Sequence, residues 1–209
     1  MRVKVCGITQ EEQLLQLPDA GVSFAGFIFY PKSPRYVLRY MTTSQIKKEN
    51  KINKVGVFVN ASVEEVLHMV DECRLHMVQL HGDESPKYCE KIADYISVVK
   101  AFRFSETDNI GWRLQEYMEY CDMFMIDTEG VGYGGTGKKL DLTKMENVLT
   151  GKPYFLSGMI DPGDADRLNE FAEKPGGKAL FAIDINTKFE VIPGVKNIGL
   201  IKNFIQKLK

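Results

Sequence analysis

The run VKVCGIT at residues 3–9 is apolar and strand-like and ends in a reactive side chain, and the same pattern returns as VQLHGDE at 78–84, MFMIDT at 123–128 and FAIDINT at 181–187. One kind of unit therefore recurs along the chain, a strand whose end delivers a polar group. That pattern predicts a barrel with its chemistry on one rim.

Further runs at 24–29, 54–59, 97–102 and 153–157 join 2–6, 77–80, 123–127 and 180–184 as candidate strands. Their continuous apolar character, clearest in Phe24-Ala25-Gly26-Phe27-Ile28-Phe29, fits strands buried on both faces, as in a parallel sheet. Most intervals between them carry a helical period. Val63, Val66, Leu67 and Val70 form one apolar stripe behind a plausible N-cap at Ser62, and Leu168, Phe171 and Ala172 form another behind Asp161-Pro162. Ser85-Pro86 is a helix start with proline in the first turn. Eight β/α units leave roughly 26 residues each, a compact version of the eightfold barrel. The expected fold is α/β, a single (β/α)8 barrel of the TIM type forming one domain over 1–209. An open doubly wound sheet competes, but it is expected to carry a glycine-rich turn after its first strand, and Cys6-Gly7-Ile8-Thr9 is no GxGxxG.

Composition agrees: 209 residues, 44% hydrophobic and 26% charged, can bury one substantial core. A net charge of −1 gives no electrostatic case for a nucleic-acid or anionic-membrane partner. The local run KKENKINK at 47–54 reads as a solvated helix end and linker. No stretch approaches the ~20 apolar residues of a membrane span, and MRVKVCG leads in without a signal-like apolar region, so a cytoplasmic protein is expected. Cys6, Cys73, Cys89 and Cys121 form no CxxC pair, which points away from a zinc site or a disulfide framework. The last three read as small buried apolar groups.

In such a barrel the strand ends and the loops after them carry the chemistry. That rule selects Cys6, Arg35, His81, Asp127, Ser157-Gly158 and Asp184-Ile185-Asn186. Strands 1 and 6 lie three steps apart around a closed ring of eight, placing Cys6 and Asp127 on roughly opposite sides of the mouth with room for a small substrate between them. A thiol facing a carboxylate suits paired acid–base work, one group taking a proton from carbon while the other delivers one to oxygen. The plainer alternatives are a buried apolar cysteine and a helix N-cap. A free cysteine, with a pKa of about 8.5, is only a few per cent thiolate at neutral pH. Backbone dipoles or the bound substrate are therefore expected to favour the thiolate.

The loop TEGVGYGGTGKKLDL at 128–142 holds five glycines and reads as a hinged lid; its Gly134-Gly135-Thr136-Gly137-Lys138 is not a Walker A, which needs GxxxxGK followed by Ser or Thr. LSGMIDPGD at 156–164 and DINTKFEVIPGVK at 184–196 offer small or polar residues before helix starts, where free backbone N–H groups can hold phosphate. Across the mouth, Tyr30-Pro31-Lys32-Ser33-Pro34-Arg35-Tyr36 is stiffened by two prolines and presents a guanidinium fork able to grip a carboxylate, unless Arg35 is simply a surface arginine.

VKVCGIT, GFIFYPKSPRYV, VGVFVN, VQLHGDE, IDT followed by GGTGK, LSG and DINT…VIPGVK stand in the order seen in the phosphoribosylanthranilate isomerases, and the ordered set resembles that family over nearly the whole chain. The resemblance implies an Amadori rearrangement of N-(5-phosphoribosyl)anthranilate in tryptophan biosynthesis, on a small phosphorylated substrate and without metal or organic cofactor. It implies Asp127 as general acid, Cys6 as general base, Arg35 on the anthranilate carboxylate, His81 lining the pocket, and the backbone around Gly158 and the Asp184/Asn186 segment on the phosphate. Three departures stand out. Met159 replaces the usual second glycine, Thr187-Lys188 the usual Ser-Gly, and Leu140-Asp141-Leu142 the common Phe-Asp-Trp; Lys188 is expected to add positive charge beside the phosphate. A histidine-pathway aminoaldose isomerase is the nearest alternative, but that family uses an aspartate pair, and Cys6 stands in place of the first. A non-catalytic barrel binding a phosphorylated ligand is the other. A monomer or a homodimer is compatible with the sequence.

Overall fold

The computed structural model describes residues 1–104, 110–127, 142–146 and 150–209. Eight parallel strands close into a barrel in sequence order: β1 (Arg2–Cys6), β2 (Phe24–Ile28), β3 (Asn53–Phe58), β4 (Met77–Leu80), β5 (Ser97–Arg103), β6 (Met123–Asp127), β7 (Tyr154–Ser157) and β8 (Leu180–Ile185), with β8 pairing back onto β1. Each lies within a residue of the run expected for it. Of the expected lid only Leu142 falls among the described residues; Gly134 to Lys138 and Leu140-Asp141 lie outside them.

Both faces of each strand are buried, which is why the runs are continuously apolar. Outward residues such as Val3, Val5, Phe27, Val78, Leu80, Phe124, Ile126, Leu156 and Ile183 join the larger core under the helices. Inward residues Phe24, Val55, Val99, Ala101, Met125, Phe155 and Ala182 fill the barrel itself. Phe24, Phe155 and Phe181 meet with ring centroids 5.3 to 5.7 Å apart, and Arg2 lies over the Phe181 ring at 4.5 Å. The N-terminal half of the barrel is thus plugged. Only the C-terminal end can open into a cavity.

The helices α1 (Glu11–Gln16), α2 (Thr43–Lys48), α3 (Val63–Cys73), α4 (Pro86–Ala93), α5 (Ile110–Gln115), α6 (Ala165–Ala172) and α7 (Ile198–Ile205) surround the strands, and a 3-10 turn at Leu142–Met145 follows β6. Their starts follow local chemistry. Ser62 accepts from Glu65 N–H while the Glu65 carboxylate accepts from Ser62 N–H, a complete capping box, and Ser85 caps α4 ahead of Pro86.

The expectation for 47–54 needs correction. Lys48, Asn50 and Lys51 are not buried, but Lys54 is fully buried in β3 and donates to the carbonyls of Ile46 (3.1 Å) and Lys47 (3.4 Å) at the end of α2. The end of a helix presents unpaired carbonyls and partial negative charge, so a lysine can be drawn inward there. Cys73, Cys89 and Cys121 are buried as expected, and burial pushes the Cys73 thiol up to about 11, which makes it inert at neutral pH.

Replacing Ser62 by Ala removes one arm of the capping box and should lower stability by about 1 kcal/mol. A urea midpoint that falls with an unchanged slope is the expected reading; an unmoved midpoint would show that the α3 start is set elsewhere.

Candidate active site

The strand ends converge on a cavity of about 390 Å³ at the C-terminal mouth of the barrel. Cys6, Arg35, His81, Asp127, Gly158, Asp184 and Asn186 all line it, so every site residue expected from the sequence is brought to one place. Alternation explains the set. Cys6, Gln79, Arg103, Asp127, Ser157 and Asp184 are inward-facing residues at or near the ends of their strands, lying above the apolar filling.

Asp127 is nearly buried at the end of β6, with His81 Nε2 3.4 Å from its Oδ2. Gln79 Nε2 stands 2.7 Å from His81 Nδ1; with the amide donating, His81 carries its hydrogen on Nε2, facing Asp127. Cys6 is buried on the far side. Burial pushes its thiol above the ordinary value, and the nearby Lys4 and Lys196 ammonium groups act in the opposite direction. In the floor, Lys4 Nζ donates to Asp184 Oδ1 at 2.9 Å. Burial raises the Asp184 pKa despite Lys4, whereas for Lys4 burial is outweighed by the Asp184 and Cys6 charges, which hold the ammonium above its usual value.

Arg35 does not stand at an open surface. Its guanidinium forks onto Glu190, Nε to Oε1 at 2.8 Å and Nη2 to Oε2 at 2.5 Å. Glu190 Oε1 also accepts from Lys196 Nζ (2.7 Å) and Gly194 N–H (2.9 Å), and Lys196 Nζ reaches Asn186 Oδ1 at 2.7 Å. One network therefore ties Arg35, Asn186 and the hairpin of β9 (Glu190–Ile192) and β10 (Val195–Lys196). Thr9 and Gln13 anchor that hairpin to the start of the chain through Gly194 O and the Lys196 backbone. Gly7 makes the approach of Arg35 possible. It has φ +76°, and a Cβ there would stand 2.6 Å from Arg35 Cδ.

After β7, Gly158 has φ +108° and is followed by Met159 at φ +47°. The left-handed turn that glycine would adopt freely is thus kept with a bulky side chain, at a cost of roughly 1–2 kcal/mol. Lys188 is exposed and lines the same mouth.

Sequence reasoning missed Lys4, Gln79, Arg103, Glu190 and Lys196. Arg103 ends β5 as Asp127 ends β6, so the strand-end rule would have found it. Lys4 had a signal too, a lysine two residues before Cys6 inside an apolar strand. Among the described residues no His, Cys, Asp and Glu group could hold a metal ion, and no helix is long and apolar enough to cross a membrane.

A closed parallel barrel with a thiol and a carboxylate across its C-terminal mouth, and cationic groups around them, defines the class of barrel acid–base enzymes that act on small anionic substrates. Residues 3–207 match the family model for N-(5'-phosphoribosyl)anthranilate (PRA) isomerase. A protein of that name from Thermotoga neapolitana is 36% identical, over 100% of this chain and 98% of its own length. The crystal structure of phosphoribosyl anthranilate isomerase from Thermotoga maritima superposes with a TM-score of 0.84 at 32% identity, covering 99% of this chain and 98% of that one. Another isomerase of this name, solved in complex with reduced 1-(o-carboxyphenylamino)-1-deoxyribulose 5-phosphate, gives 0.79 at 29% identity over 99% and 97%. The chain belongs to the phosphoribosylanthranilate isomerase family, the intramolecular aldose–ketose isomerases of tryptophan biosynthesis.

Met159→Gly should hold or raise the melting temperature while Met159→Ile lowers it, because only the β-branched residue adds to the left-handed strain; the reverse order would place the strain elsewhere. Gly7→Ala should displace Arg35 and raise KM at least about tenfold, a change of roughly 1.4 kcal/mol in binding, with a smaller effect on kcat. Glu190 is held below its ordinary value of 4.5: burial pushes it up, but Arg35 and Lys196 outweigh burial. Its contribution to stability is therefore complete above pH 4.5 and lost as pH falls through the lower folded value. Acid unfolding of Glu190→Gln should show a shallower pH dependence in that window, and an identical dependence would contradict the assignment.

Proposed function

We propose that Asp127 and Cys6 are the acid and base of an Amadori rearrangement converting N-(5-phosphoribosyl)anthranilate into 1-(2-carboxyphenylamino)-1-deoxy-D-ribulose 5-phosphate. The observation that carries this reading is their placement in one cavity, on strands three steps apart, with Arg35 on one flank and the β7 and β8 loops on another. Asp127 protonates the furanose ring oxygen, and the C1′–O bond breaks as the anilino nitrogen lone pair forms the protonated Schiff base. Cys6 then takes the C2′ proton, and the C2′–H electron pair moves in to neutralise the iminium as the enolamine forms. Return of a proton to C1′ with loss of the enol proton gives the ketone.

Binding at both ends fixes the middle. Arg35, oriented by Glu190, meets the anthranilate carboxylate, while the backbone around Gly158 and the Asp184 to Asn186 segment, with Lys188 on the rim, meets the phosphate. The Asp184 and Asn186 side chains serve Lys4 and Lys196 instead, so the phosphate contacts assigned to that segment are those of its main chain. Such remote contacts accelerate the reaction by holding the ribose where acid and base can both reach it. His81 keeps the Asp127 carboxyl in place from the side.

Anthranilate fluorescence, followed as the protein meets freshly generated phosphoribosylanthranilate, tests this directly. The expected result is rapid loss with the intact protein and a fall in kcat of at least about 10²-fold for both Asp127→Asn and Cys6→Ala. Full activity in either variant would overturn that residue's role; phosphate-protectable binding without turnover by the intact protein would point to a binding module.

A further inference from the structure

The base assigned to Cys6 lies where ionisation is opposed. Cys6 is 5% exposed, and burial disfavours a thiolate. Two residues earlier on the same strand stands Lys4. Side chains alternate along a strand, so Lys4 and Cys6 leave β1 on the same inward face, Lys4 one layer deeper.

Gly26 of β2, the register partner of Cys6, shows how closely they meet. A Cβ on Gly26 would stand 3.1 Å from Lys4 Nζ and 3.1 Å from Cys6 Sγ. Ammonium and sulfur therefore lie within about 6 Å, a range over which an opposite charge favours the ionised form. The glycine provides no side chain to separate them. Lys4 is 1% exposed, is held by Asp184 at 2.9 Å, and does not line the cavity. It can neither contact substrate nor be drawn off into solvent.

We propose that Lys4 is a positioning residue for the isomerisation, a buried counter-ion that offsets part of the cost that burial places on ionising Cys6. This rests on Cys6 being the base. The other charged groups acting on Cys6 are Asp184 from β8, which opposes ionisation, and Lys196 from the hairpin, which assists it. Asp184 keeps the Lys4 ammonium fixed, while Lys4 remains the stronger influence on the thiol.

The test is alkylation of Cys6 by iodoacetamide across pH, quantified on its own peptide by mass spectrometry so that Cys73, Cys89 and Cys121 do not interfere. Intact protein, Lys4→Met and Lys4→Arg are compared, alongside the pH profile of kcat/KM. In Lys4→Met the alkylation midpoint should rise by about 1–3 pH units, with the rising limb of kcat/KM moving alongside it. Lys4→Arg should restore both. A midpoint unchanged in a folded Lys4→Met protein overturns the proposal, because a merely structural lysine would not move it. Should Lys4→Met fail to fold on account of an unpaired Asp184, Lys4→Gln combined with Asp184→Asn supplies a neutral hydrogen-bonded pair of similar shape. A smaller rise is expected there, because the opposing Asp184 charge is removed along with the stronger Lys4 charge, and no rise at all overturns the proposal. A shifted midpoint in a protein whose Cys6→Ala variant still turns over at full rate would instead overturn the base assignment, and with it the part Lys4 plays in the reaction.

Discussion

The seam between β1 and β8 is the constraint on which the rest of the molecule depends. A barrel has no edges only if its last strand finds its first, and here residues about 180 positions apart must pair in register, Lys4 opposite Asp184 and Arg2 opposite Ala182. The Lys4–Asp184 ion pair spans that seam. A one-residue slip would set Lys4 opposite Ile183 or Ile185 and leave a buried charge without a partner. Breaking such a pair costs about 3–5 kcal/mol, although replacing both members by apolar residues is often neutral. Stability alone therefore does not call for two charges in this place. Register, and the charge presented to the layer above, do.

That layer is where the structure turns from packing to chemistry. Below it, Lys4 apart, the inward side chains are mainly aromatic, aliphatic or methionine; above it they are Cys6, His81, Arg103, Asp127, Ser157 and Asp184. The loops over the mouth are not independent of one another. Thr9 and Gln13 grip the β9–β10 hairpin, the hairpin carries Glu190 and Lys196, and these hold Arg35 and Asn186. The segments after β1, β2 and β8 thus share one polar network, so a disturbance at Gly194 or Gly7 reaches Arg35.

The strands were legible because burial on both faces forces continuous apolar runs, and Cys6, His81, Asp127 and Gly158 were legible because they stand where those runs end. Charges inside the runs were not. Lys54 read as part of a solvated stretch, and Lys4 carried only the weak signal of a lysine inside an apolar strand, with nothing to show which group would neutralise it. The partners that make their burial tolerable are the α2 carbonyls in one case and a carboxylate near the opposite end of the chain in the other. Glu190 sits in what reads as a turn, 155 residues from the arginine it orients. Long-range charge pairing leaves no local period to detect. Met159 was visible as a departure from its family. Only the backbone shows that the glycine conformation survives the loss of the glycine.

On the proposed reading, an acid and a base share one mouth with a substrate negative at both ends, and that would account for a counter-ion of Cys6 placed below the site. The cations Lys32, Arg35, Arg103 and Lys188 line the mouth, and on the proposed reading a substrate's carboxylate and phosphate would claim cations there. Substrate binding also adds negative charge beside a thiol that has to lose its proton, and a like charge disfavours that loss. A lysine at the rim would be shared between thiolate and substrate. A lysine in the floor, anchored by Asp184 and not lining the cavity, is shared with a fixed carboxylate and the thiol but is out of reach of the substrate's own charges. Asp127 stands three strands away beside His81, and on the proposed reading that separation lets one cavity hold an acid and a base.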